Sequence, residues 1–152
     1  MPYNKGFTLI EILIVIGLFT FIFALGLFMS MDVYRGYTHR SERDVLVSVL
    51  TRARSRALAN IHQQRWGVCY DNNISQYVIF SGANYVSALS KETVLANPGV
   101  TFSTSSASTF FCSAGGIIFT QLTGTTTGMS VGMTQGAFTS TTSTNVEGVI
   151  LW

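Results

Sequence analysis

The chain has 152 residues, 47% of them hydrophobic and only 11% charged, with a formal net charge of +2. Single domains run to about 100–200 residues and average proteins are about 25% charged, so the length excludes a large multidomain enzyme and the composition points to a chain partly housed in lipid or polymer. The small net charge excludes a global field for nucleic acid or an acidic partner, so any basic site must be local.

A short polar leader, Met1–Gly6 with Lys5 in it, precedes the run Phe7–Met31, in which Glu11 is the only ionisable side chain. About 20 apolar helical residues, at roughly 1.5 Å each, cross a bilayer core of about 30 Å, which predicts a transmembrane helix over 7–31. A removable secretory signal would instead have an apolar core of about 7–15 residues followed by a small-residue cleavage site, and neither is present. Lys5 precedes the span, and Arg35, Arg40 and Arg43 follow it among Asp32, Glu42 and Asp44. Counted alone, the positive-inside bias places the residues after the span in the cytoplasm. Glu11 needs a reason of its own. A carboxylate inside such a span costs on the order of 3 kcal/mol unless it is paired, neutralised or able to reach the headgroups, so its expected partner is a cation.

Beyond the span, Leu46, Val49, Leu50, Ala53, Ala57 and Ile61 recur at three- and four-residue spacings, with Arg43, Arg52, Arg54, Arg56 and Asn60 mainly elsewhere. This predicts an amphipathic continuation of the helix over 32–62. Gly17, Gly26 and Gly36 are tolerable within it at about 1 kcal/mol each. A helix from Phe7 to about Ile61 would be roughly 80 Å long, too long for a compact soluble domain.

From Gln64 the period becomes two. Strands are predicted at Arg65–Tyr70, Ile74–Phe80, Val100–Ser103, Thr109–Cys112, Ile117–Leu122, Met129–Thr134 and Val146–Trp152, separated by Asp71-Asn72-Asn73, Ser81-Gly82, Asn97-Pro98-Gly99, a Gly115-Gly116 hairpin turn and Thr123-Gly124. The fold expected is therefore α+β: a long N-terminal helix, half transmembrane and half amphipathic, packed on an antiparallel β-rich head over 63–152. His39 and His62 lack the companions that a zinc site or a nucleophilic triad requires, so neither metal, cofactor nor catalysis is expected. Arg52, Arg54, Arg56 and Arg65, with His62, form a local basic cluster suited to a solvated helix end, to salt bridges between subunits, or to the phosphates of DNA. The Ser/Thr-rich tract Thr101–Thr144 suits exposed strands and loops or a glycan-carrying surface.

Lys5-Gly6-Phe7-Thr8-Leu9-Ile10-Glu11, followed at once by the apolar run, resembles the N-terminal cleavage and methylation signal of type IV pilins and pseudopilins. The resemblance implies that residues 1–6 are a leader facing the cytoplasm, removed after Gly6 by a membrane-embedded prepilin peptidase. It also implies that the new amino-terminal Phe7 is N-methylated and that Glu11 serves subunit docking. The small side chain of Gly6 suits a narrow protease groove. Cleavage would put an amine four residues before Glu11, and two opposite charges about 4 Å apart attract by roughly 4 kcal/mol at an effective dielectric near 20. An incoming subunit's Phe7 amine pairing with a neighbour's Glu11 would thus offset much of the cost of burying the carboxylate and set axial register.

Farther along, Leu50–Leu58, a strand holding Trp66 and Cys69, Tyr77–Phe80, and Gly116-Ile117-Ile118-Phe119 with Gly124 are similar to H-type pseudopilins and FimT-type minor pilins. The function implied is a minor pilin or pseudopilin of a type IV pilus or type II secretion pseudopilus, with a DNA-binding minor pilin or a major pilin as alternatives. DNA-binding members of the FimT-type group carry an Arg-containing motif near the C terminus, whereas Val146–Trp152 has no Lys or Arg and contains Glu147. The partners implied are other pilin or pseudopilin subunits, the prepilin peptidase and methyltransferase, an inner-membrane assembly platform and lipid. Before assembly the chain would be a single-pass inner-membrane protein with its head outside the cytoplasm. That compartment permits a Cys69–Cys112 disulfide, the alternative being two buried thiols.

Overall fold

The computed structural model describes residues 6–104 and 110–152. It contains one long helix, α1 (Leu9–Leu58), and two four-stranded sheets among the described residues. The chain divides at Gly36 into two units, 1–36 and 37–152.

In the first unit Thr8 opens α1. The Glu11 amide hydrogen-bonds to both the Thr8 carbonyl, at 3.1 Å, and Oγ1, at 3.4 Å. Thr8-x-x-Glu11 is the spacing of a capping box, so the residues that begin the apolar run also begin the helix. Every described side chain from Phe7 to Leu27 is exposed. The hydroxyl of Thr20, in the middle of this apolar stretch, donates back to the carbonyls of Ile16 and Gly17 at 3.0 and 2.9 Å, so its polarity is satisfied within the helix.

In the second unit α1 buries one stripe: His39, Glu42, Leu46, Val49, Leu50, Ala53 and Ala57. The helix ends at Leu58, short of the expected 61–62. Asn60 takes the left-handed conformation (φ 54°), and the Ala57 carbonyl at the helix end accepts both the Asn60 amide at 3.2 Å and the Leu122 amide at 2.9 Å. Ile61–Gln63 form one 3-10 turn.

The strands are β1 (Trp66–Asp71), β2 (Gln76–Ser81), β3 (Ser90–Leu95), β4 (Thr101–Thr104), β5 (Ile117–Phe119), β6 (Met129–Gln135), β7 (Phe138–Thr144) and β8 (Ile150–Leu151). The first sheet runs β3-β2-β1-β5 and the second β4-β6-β7-β8, with antiparallel pairing throughout. Leu46 to Ala57 of α1, Trp66, Val68 and Tyr70 of β1, Tyr77 and Ile79 of β2, and Val131 and Met133 of β6 share one core. Cys69, Val78, Phe80 and Cys112 form a second cluster on the other face of the first sheet. β1 and β2 are thus covered on both faces.

Several expected elements differ. β3 and β7 were not anticipated. Thr109 lies outside the described residues, and the residues after it do not form a strand: Phe111 makes a single parallel bridge to Tyr70, and Cys112–Ala114 is a 3-10 turn. Gly115 ends that turn in a left-handed conformation, so Gly115-Gly116 joins it to β5 instead of closing a hairpin. Ile117–Leu122 shortens to 117–119. Val146–Trp152 shortens to the Ile150–Leu151 pairing, because Asn145 and Gly148 first form a turn closed by Gly148 N to Asn145 O at 2.9 Å.

Candidate functional site

Gly6 and Phe7 lie just outside the first turn of α1, and Phe7 is 81% exposed. Phe7 and Glu11 line one hollow of about 260 Å³ with Ile12, Val15 and Ile16. The helix therefore brings together the expected cleavage and methylation residue and the expected docking carboxylate, with aliphatic side chains around them. The residues that follow are long and apolar enough to cross a membrane. Sequence reasoning missed the role of Thr8 here, although its signal, a Thr three residues before Glu11, was present.

Residues 1–27 match the family model of the prokaryotic N-terminal methylation motif. No curated protein and no solved structure matches the chain. The motif is a type IV pilin-like prepilin signal, and with the apolar helix it fits a membrane-anchored pilin. It covers the leader and the apolar part of α1, and none of the β-rich head.

Three of the four clustered arginines are engaged within the chain. Arg52 Nη1 and Arg56 Nη2 reach the two oxygens of Glu92 on β3 at 2.6 and 2.5 Å, and the Arg56 guanidinium lies 4.8 Å from the centre of the Trp66 ring. Arg54 Nη2 donates to the Glu147 carbonyl at 3.2 Å. Arg65 is exposed. The four arginines thus do not present one free cationic face. Glu92 could not be anticipated as their partner while β3 itself went unread.

Cys69 of β1 and Cys112 are disulfide-bonded, their Cα atoms 4.9 Å apart across a sequence separation of 43. The bond ties the 3-10 turn to the first sheet beneath Phe80.

Two buried polar side chains of α1 were also missed. Glu42 is 5% exposed; its Oε1 accepts the Tyr77 hydroxyl at 2.7 Å and its Oε2 the Asn97 amide at 3.0 Å. Burial, and secondarily the Glu42 carboxylate, hold the Tyr77 phenol far above its ordinary value. His39, one turn earlier and also 5% exposed, stacks on Phe138 at 6.3 Å, and neither ring nitrogen has a hydrogen-bond partner among the described residues. Helical spacing places both residues on the apolar stripe, but their burial depends on loops and strands distant in sequence. Among the described residues no cluster of His, Cys, Asp and Glu could hold a metal ion.

Proposed function

We propose that the chain is a minor pilin or pseudopilin, cleaved after Gly6, N-methylated on Phe7, and assembled through its N-terminal helix into a type IV pilus or type II secretion pseudopilus. The observation that carries this reading is the methylation motif over 1–27 in register with an exposed apolar helix whose first turn places Phe7 and Glu11 around one hollow.

Before assembly the Glu11 carboxylate, about one turn inside the span, reaches headgroups or water. In a filament, neighbouring apolar helices would enclose it, and the Phe7 amine of an adjacent subunit would supply the compensating charge. The same pairing would set how far each subunit advances along the fibre. The head stays on the far side of the membrane from the leader and supplies the surface of the assembly. DNA uptake ranks behind this structural role, because Arg52 and Arg56 share the carboxylate of Glu92 and Arg54 is bound to the Glu147 carbonyl.

The test is co-purification of tagged Glu11→Ala protein with sheared filaments, beside a membrane-fraction control. Insertion and cleavage should be retained, since neither uses the pair, and incorporation should fall severalfold. Equal incorporation of mutant and wild type would reject the pairing.

A further inference from the structure

On the outer face of the first sheet, away from α1, the end of β1 and two loops border an open cleft of about 380 Å³ lined by Asp71, Asn72, Asn73, Tyr85, Phe111 and Ser113 among others. We propose that this cleft binds a neutral pyranose, as a monosaccharide or the end of a glycan chain. This goes beyond the assembly role and does not depend on it.

Three features point to that chemistry. The first is the mixture of groups. Phe111 offers aromatic surface to the C–H face of a sugar ring with Tyr85 lining the cleft beside it, while Asp71 accepts, the two carboxamides both donate and accept, and the Ser113 hydroxyl does either. Vicinal ring hydroxyls, each a donor and an acceptor, require that combination. Asn72, Asn73 and Ser113 are exposed, so their carboxamides and hydroxyl face solvent where a ligand can reach them. Asp71 is held in place by the Asn73 amide, which donates to Oδ1 at 2.9 Å, and by the Tyr85 hydroxyl, which donates to Oδ2 at 3.3 Å.

The second feature is preorganisation. The Cys69–Cys112 bond fixes the Phe111–Ser113 wall to β1. Tyr85 is braced by a T-shaped contact with Phe80, with ring centroids 6.1 Å apart, and by the Lys91 ammonium 4.0 Å above its ring. Walls held in this way lose less conformational entropy when a ligand is bound.

The third feature is charge and size. The Asp71 carboxylate is offset by the Lys91 ammonium over the Tyr85 ring, so the cleft has no strong net charge to hold a phosphate or an acidic sugar, and a lone carboxylate is a poor cage for a divalent cation. The volume lies at the small end of the range for ligand pockets, about 300–1,000 Å³, which suits one or two sugar units and not a long oligosaccharide.

The experiment is saturation-transfer NMR on the full-length protein in a polyoxyethylene detergent, which carries no sugar headgroup. The probes are the methyl pyranosides of glucose, galactose, mannose and N-acetylglucosamine, with methyl glucuronide and calcium chloride as separate arms. Transfer to at least one neutral pyranoside is expected. Its affinity should fall at least tenfold in Tyr85→Ala and Asn73→Ala and stay within twofold of wild type in Arg65→Ala. Asp71→Asn should admit the glucuronide that the wild type rejects, a change in preference that simple loss of structure does not produce. Asn72→Ala, at an exposed position, carries the test if Tyr85→Ala fails to fold, with a severalfold loss expected. No transfer from any neutral pyranoside, transfer undiminished in the Asn variants, or calcium binding alone would overturn the proposal.

Discussion

Glu11 and Glu42 sit on the same helix in opposite settings. Glu11 is exposed beside Phe7 and aliphatic side chains, whereas Glu42 is enclosed in the head and satisfied by two neutral donors, the Tyr77 hydroxyl and the Asn97 amide. Removing a donor from a buried carboxylate costs about 1–3 kcal/mol or more, so Tyr77→Phe should lower the thermal midpoint of the head while leaving its fold intact. The pair also has a pH signature. The Tyr77 phenol is raised in the folded state, so below its unfolded value near 10 its contribution to stability is fully present. Above that pH the unfolded chain gives up the proton first, and stability falls as pH rises. Thermal melts of wild type between pH 8 and pH 11 should show this decline, and Tyr77→Phe should show a shallower one. A wild-type midpoint flat to pH 11 would contradict the assignment. The neighbours of Glu11 were legible because its surroundings in sequence are also its surroundings in space. Those of Glu42 were not, because Tyr77 and Asn97 lie 35 and 55 residues away.

At the scale of elements, the helix was the most legible part, since a continuous apolar run followed by a three-and-four stripe has one regular solution. Its C terminus was misplaced because Ile61 continues the apolar spacing while Asn60 has already left the helix. The missed strands share a different cause. β3, Ser-Lys-Glu-Thr-Val-Leu, is an edge strand with largely exposed side chains, and β7 is Phe-Thr-Ser-Thr-Thr-Ser-Thr, whose buried positions are threonines. Apolar alternation cannot reveal either. A local signal for β7 did exist: Gly136-Ala137, with Gly136 at positive φ, joins Gln135 to Phe138 as a two-residue hairpin loop. The first sheet also depends on a missing side chain. A Cβ at Gly67 would overlap the Phe80 ring, and one at Gly116, itself at positive φ, would lie 2.6 Å from the Val68 carbonyl. Gly67→Ala should therefore cost about 1–3 kcal/mol by overpacking. In a Phe80→Leu background the same change should cost less, and a double-mutant cycle by thermal melting measures the difference. Additive effects would show that the ring does not depend on Gly67.

For the molecule as a whole, the methylation motif identifies the first 27 residues, and the head owes its character to two sheets, one helix segment and one covalent tie. Closing a loop of this length stabilises by about 3–4 kcal/mol in the chain-entropy model. Thiol labelling of the denatured, non-reduced protein should find no free cysteine, and reduction should lower the thermal midpoint by several degrees; two labelled thiols would contradict the bond. The head's surface chemistry was not readable from the sequence. Its arginines depend on Glu92 in an unread strand, and its cleft joins Asp71 to Tyr85 and Phe111 through turns. The methylation motif was readable because it is linear: its residues, 1–27, are neighbours in the chain. Mass spectrometry of the N terminus of protein isolated from its native membranes and filaments therefore tests the central claim most directly. The account predicts a mature chain beginning at Phe7 with one methyl group on its amine, and a chain that retains Met1–Gly6 would contradict it.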